Sequence, residues 1–229
     1  MLFDLDDTLH DDTLAYKSAA EEVAREVAAE RGIDALALKS AYVAAAERFW
    51  TKLSAEQLQT KLAVTRPRLW QDALAAIGID DEPLALRSAG NYHAYRKKYF
   101  ELFPGALDVL RGLKARGFML GLVTNGFAET HREKIAILQI GELFDAIFIA
   151  DEVGMLKPDP LLFTHACAEL GSSPANCAMV GDRYERDMRG AIAAGLFSVW
   201  MNVHCETLEP DAPRPDVTVA SITEAGAVF

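Results

Sequence analysis

Asp4 and Asp6 are separated by one residue in the run Phe3-Asp4-Leu5-Asp6-Asp7-Thr8. Alternate side chains of an extended strand share a face, so both carboxylates can point into one site at the strand's end. One can attack as a nucleophile while the other handles protons. Three further groups stand in similar places. Thr124, in Leu122-Val123-Thr124-Asn125-Gly126, offers a hydroxyl donor, and Gly126 lets the backbone turn so that N–H groups near Asn125 face an anion. Lys157 precedes Pro158-Asp159-Pro160, whose two prolines stiffen the backbone; a fixed ammonium can neutralise a phosphoryl group. Asp182 follows Val180-Gly181, with Asp187 five residues on. Two such acids can bind a hard cation, and Mg²⁺ suits a sparse acidic site because it keeps several waters. Taken singly, an acidic turn, a strand-to-helix turn, a surface lysine and a capping acid explain these residues equally well. Together they differ from chance in that each follows an apolar run.

The elements that must hold these groups are legible in the hydrophobic pattern. Met1 to Leu5 reads as a short buried strand. Central strands usually have about five or six residues, so this one is either truncated or begins upstream. A helical region follows. Leu14, Tyr16, Ala19, Val23 and Val27 share one face ended by Gly32, and Leu38, Tyr42, Ala45 and Phe49 mark a second helix. Ser54 with Gln57 reads as a capping box opening a third. A fourth runs from Pro67 to Ile77 and is stopped by Gly78; a fifth runs from Pro83 to Tyr99. After Pro104 helices alternate with strands at 118–123, 146–149, 178–180 and 197–200, with an edge strand at 217–219 and a last helix capped by Ser221 and Glu224. The intervening helices are expected up to Gly117 and over 127–138, 160–170 and 186–194. Alternation of this kind predicts an α/β fold, a Rossmann-like parallel sheet covered on both faces. The expected organisation is an α/β catalytic core, residues 1–12 and 101–229, split by an all-helical cap, residues 13–100. Such an insertion is expected above the carboxyl end of the first strand, where ligands bind in open parallel sheets; a cap there can exclude water and choose the substrate.

The 229 residues carry a formal net charge of −11, half of them hydrophobic and a quarter charged. That balance repels a nucleic acid polymer but leaves room for a small anionic metabolite held by local positive charge. No run is apolar enough to cross a bilayer, and no signal peptide is expected before Asp4. Cys167, Cys177 and Cys205 are odd in number and lack a C-x-x-C spacing, which fits a reducing cytoplasm; Cys167 reads as core packing rather than a zinc ligand with His165.

The four motifs in this order, Asp4-Leu5-Asp6-Asp7-Thr8, Thr124, Lys157 and Gly181-Asp182 with Asp187, resemble the haloacid dehalogenase (HAD) superfamily. The similarity covers essentially the whole chain, in the branch with a helical cap between the first two motifs. The opening run resembles nucleotidase and N-acylneuraminate-9-phosphatase-like members. What the resemblance implies is a Mg²⁺-dependent phosphatase. Asp4 would form an aspartyl-phosphate, and Asp6 would protonate the leaving oxygen and then activate water. Thr124 and backbone N–H groups near Asn125 would hold phosphoryl oxygens, and Lys157 would offset negative charge. Asp4, Asp182 and the Asp6 backbone carbonyl would ligate Mg²⁺, with Asp187 behind them. The substrate class so implied is a nucleoside monophosphate or a sugar phosphate.

Several alternatives stand beside this one. The dehalogenase branch lacks an acid at the position of Asp6, because alkyl halide cleavage needs no protonated leaving oxygen. A sugar-phosphate mutase resembles the chain equally in its two aspartates and cap. A phosphonatase would use a cap lysine, for which Lys17, Lys39, Lys52 and Lys61 are available, each expected to be a solvated helix-face residue. A non-catalytic binding protein on the same scaffold is the reading from a different class. His10, Tyr16, Trp50, Arg66 and Arg68 are candidates for substrate choice, and Arg183 for a substrate contact or a pair with Glu185.

Overall fold

Short apolar runs between helices build a six-stranded, wholly parallel sheet in the order β3-β2-β1-β4-β5-β6. The strands are β1 (Leu2–Phe3), β2 (Gly121–Thr124), β3 (Ala146–Ile149), β4 (Ala178–Gly181), β5 (Phe197–Met201) and β6 (Val217–Val219). The structure, a computed structural model, describes residues 1–58 and 60–229. Leu2 pairs with Gly121 on one side and Met179 on the other, which makes β1 central. The chain runs outward from β1 through β2 to β3, then crosses to β4. The strand order therefore reverses at β1, and the crevice beyond the carboxyl ends of β1, β2 and β4 is where such sheets bind ligands.

Two strands differ from expectation. The first is two residues long instead of five. Asp4 N–H still donates to Val180 O at 2.9 Å, but the chain then leaves the ladder. Leu9 and His10 N–H turn back to Leu5 O, and Asp7 adopts a left-handed φ of 57°. The second begins at Gly121 rather than residue 118, because its pairing with β1 starts there and the Leu120 N–H is taken by the Asp145 carboxylate at 2.7 Å.

The chain divides into two compact units, Met1–Asp11 with Glu101–Phe229, and Asp12–Phe100. The second consists of α1 (Asp12–Arg31), α2 (Ala35–Thr51), the four-residue α3 (Ala55–Leu58), α4 (Leu62–Ala76) and α5 (Glu82–Arg96). α1, α2, α4 and α5 pack in a ring, each against the next. The core of this ring is Trp70, fully buried and stacked on Tyr42 with centroids 4.1 Å apart, together with the small face of α1 at Ala19, Ala20, Val23 and Ala24. Small residues on α1 let the large aromatic pair fill the centre at native density. Ser54 and Gln57 form the reciprocal capping box that opens α3. α4 starts five residues before Pro67, which lies inside the helix instead of opening it; a proline so near the N-terminus removes only one backbone bond.

In the α/β unit, α6 (Ala106–Ala115), α7 (Ala128–Ile137), α8 (Ala150–Val153), α9 (Pro160–Glu169), α10 (Arg189–Ala194) and α11 (Ile222–Ala227) connect the strands. The helix expected from Arg186 is instead a π-turn over Tyr184–Met188 followed by α10. Within that turn Asp187 is fully buried and its Oδ2 accepts the Arg183 N–H at 2.9 Å. Among the described residues no helix is long and apolar enough to cross a membrane.

Candidate active site

The four motifs converge beyond the carboxyl ends of three adjacent strands: Asp4 after β1, Thr124 at the end of β2, Asp182 after β4. Lys157 joins them from the loop before α9. Its Nζ lies 2.7 Å from Asp4 Oδ1 and 2.6 Å from Asp187 Oδ1, and also donates to Val123 O at 3.0 Å. All three side chains are buried. Asn125 fixes the lysine from behind. Its Oδ1 accepts the Lys157 N–H at 2.8 Å and its Nδ2 donates to Lys157 O at 2.9 Å. The Asn125 side chain is thus engaged with the lysine loop, which leaves its backbone as the part suited to a phosphoryl oxygen. The Lys157–Pro158 peptide is cis.

Asp4, Asp182 and Asp187 each bring a carboxylate oxygen within 4.8 Å of the others. Fully ionised, the three carboxylates would exceed the Lys157 ammonium and the Arg183 guanidinium, 3.1 Å from Asp182, by one negative charge. Burial pushes the Asp4 carboxyl up to about 8; Asp187 and Asp182 add to the rise, and Lys157 opposes it. Asp182 is raised to about 6, again chiefly by burial and partly by Asp187, against His204 and Arg183. Burial works against the charge on Lys157, but Asp187 and Asp4 outweigh it and hold the ammonium above its ordinary range. An all-oxygen donor set with uncompensated buried negative charge suits a hard divalent cation. Gly181 makes the close packing possible. A Cβ there would sit 2.5 Å from Asp187 Cγ. The Asp182 loop is pinned by Trp200 Nε1, which donates to Asp182 O at 2.8 Å.

Asp6 has a different set of partners. Its side chain is 28 % exposed and faces the buried Lys134 of α7, whose Nζ lies 2.6 and 2.7 Å from the two carboxylate oxygens. His10 Nε2 is 3.3 Å from Oδ1 and His131 Nε2 is 3.5 Å from Oδ2. Burial alone would raise the Asp6 carboxyl, but Lys134, His10 and His131 overcome it and hold the group well below the usual carboxylate range. Each aspartate of the opening pair thus has its own ammonium, Lys157 for Asp4 and Lys134 for Asp6.

His10 is placed beside Asp6 with its ring fully buried. Arg183 does not pair with Glu185, which meets Arg189. Instead Arg183 reaches Asp182 at 3.1 Å and Asp7 at 3.4 Å. Tyr16, Trp50, Arg66 and Arg68 lie in the helical unit. Trp50 packs on its core, Arg66 is buried with Nη1 2.5 Å from His93 Nδ1, Arg68 is exposed, and Tyr16 meets Glu47 at 3.5 Å. Of the lysines of the helical unit, Lys39 pairs with Glu21 at 2.6 Å, Lys17 lies over the Tyr16 ring, and Lys52 and Lys61 are exposed. Sequence reasoning missed Lys134, His131 and His204, which lies 3.3 Å from Asp182 Oδ2. A signal existed for the first two: His131 and Lys134 are three residues apart on one face of the helix that the Thr124 motif opens.

A family profile described as haloacid dehalogenase-like hydrolase matches residues 1–195. A phosphoserine phosphatase of Thermus thermophilus is 30 % identical over 98 % of this chain and 96 % of its own length. N-acylneuraminate-9-phosphatase of Mus musculus is 32 % identical, over 100 % of this chain and 92 % of its own. Among solved structures, a putative HAD-hydrolase from Bacillus subtilis, YfnB, bound to magnesium, superposes with a TM-score of 0.76 at 23 % identity, covering 99 % of this chain and 96 % of that one.

Proposed function

The chain belongs to the haloacid dehalogenase-like hydrolase family, and we propose that it is a Mg²⁺-dependent phosphatase of small phosphomonoesters, a nucleoside monophosphate or a sugar phosphate, acting through an aspartyl-phosphate on Asp4. The observation that carries this reading is the separation of the two aspartates onto two ammonium groups. Asp4 sits in the buried, cation-seeking cluster with Lys157, while Asp6 is partly exposed with partners of its own. A dehalogenase has no use for the second carboxyl group; a phosphatase needs it for the leaving oxygen.

Asp4 Oδ attacks phosphorus and the ester oxygen leaves. Because Lys134, His10 and His131 hold Asp6 ionised at rest, it takes up a solvent proton as the substrate binds and passes that proton to the leaving oxygen. It then receives one from the water that cleaves the acyl-phosphate and returns it to solvent, restoring the carboxylate. Thr124 Oγ1 and backbone N–H groups at Asn125 hold phosphoryl oxygens, and Lys157 keeps Asp4 aligned while offsetting charge. Mg²⁺, held by Asp4, Asp182 and the Asp6 backbone carbonyl, would supply the positive charge that lets an anion approach a carboxylate. Asp187 holds Lys157 in place at 2.6 Å.

The test is hydrolysis of p-nitrophenyl phosphate and a panel of nucleoside monophosphates and sugar phosphates with Mg²⁺. Release of phosphate that needs the cation and disappears in Asp4→Asn is expected. Turnover of 2-haloacids without turnover of any phosphate would overturn the reading.

A further inference from the structure

The partners of Asp6 lie outside the four motifs, and one of them is a lysine with no exposed surface. A buried ion pair is weak evidence for stability, because an apolar pair of similar volume often does as well or better. The geometry here gives the lysine a more specific task. Its Nζ meets both Asp6 oxygens, at 2.6 and 2.7 Å, and so restricts rotation of the carboxylate. His131, on the same face of α7, flanks one oxygen. Its own Nδ1 is tied to Phe127 O at 3.0 Å, which fixes the ring. α7 starts directly after the Thr124-Asn125-Gly126 turn, and the turn is packed on that ring: a Cβ on Gly126 would lie 2.1 Å from His131 Cε1. One helix thus sets both the loop suited to phosphoryl oxygens and the carboxylate suited to the leaving oxygen.

We propose that Lys134 is a positioning residue that orients the Asp6 carboxyl group for proton transfer to the leaving oxygen, with His131 as its support. The inference rests on the reading of Asp6 as the proton carrier.

Phenyl phosphate and p-nitrophenyl phosphate separate the two claims. They share a shape, but phenolate is the more basic leaving group and needs the proton more. kcat/KM for both is measured with Mg²⁺ in wild type, Asp6→Asn, Lys134→Met and Lys134→Arg. The ratio of the nitrophenyl to the phenyl value is expected to rise at least about tenfold in Asp6→Asn and in Lys134→Met, and to return toward wild type in Lys134→Arg. A role in packing alone would lower both substrates equally. If the ratio moves in Asp6→Asn but not in Lys134→Met, the positioning role is overturned and the reading of Asp6 stands. If it moves in neither, the reading of Asp6 fails and this inference fails with it. Should Lys134→Met lose its circular dichroism, the same ratio is read in Lys134→Gln, which retains a donor.

Discussion

The Lys157 ammonium lies 2.7 Å from Asp4 Oδ1, with both groups buried. Because the same ammonium also faces Asp187, its removal takes the cation from two buried carboxylates. Lys157→Met is therefore expected to cost about 3–5 kcal/mol of folding stability as well as activity. Urea denaturation without Mg²⁺ checks this, and an unchanged midpoint would contradict it.

Asp4→Asn should behave in the opposite way. The amide keeps the shape and removes one carboxyl group from a buried cluster whose acids outnumber its cations. Melting temperature without Mg²⁺ is expected to stay level or rise, while phosphatase turnover falls by at least about a thousandfold. Thermal melts and p-nitrophenyl phosphate assays on one preparation measure both.

The pH dependence of cation binding follows from Asp4, raised to about 8, and Asp182, raised to about 6. A cation needs the ionised carboxylates; Asp4, raised to about 8, keeps its proton at neutral pH, and Asp182, raised to about 6, is protonated only toward the acid end of the range. Mg²⁺ must displace those protons, so its affinity is expected to increase from pH 6 to pH 8 and level off above. Calorimetry in two buffers of different ionisation enthalpy reads the proton release directly. An affinity independent of pH in this range would contradict the assignment of these groups.

Gly181→Ala tests the packing behind the cluster. Its Cβ would fall 2.5 Å from Asp187 Cγ, so the carboxylate must leave its place beside Lys157. A stability loss of about 1–3 kcal/mol is expected, with a lower kcat. Denaturant titration and steady-state kinetics check the two parts.

The order of strands and helices and the Ser54–Gln57 box were legible because each depends on neighbours in sequence. The carboxylate cluster was legible because chemistry limits which residue types can serve at a strand end. The length of β1 was not, since Asp7's left-handed turn and the bonds to Leu5 O end the ladder early. The π-turn at Tyr184–Met188 was also hidden: its pattern matches an ordinary helix, and only the burial of Asp187 against Lys157 distinguishes it. Lys134 was missed because its partner stands 128 positions away. Long-range ion pairs leave no local period to read.

The central claim is that Asp4 carries the phosphoryl group between two half-reactions. Acid quenching during turnover of p-nitrophenyl phosphate, followed by peptide mass mapping, tests it most directly. The account predicts an acyl-phosphate on the peptide that holds Asp4, absent in Asp4→Asn. Phosphate on another residue, or undiminished turnover by Asp4→Asn, would contradict it.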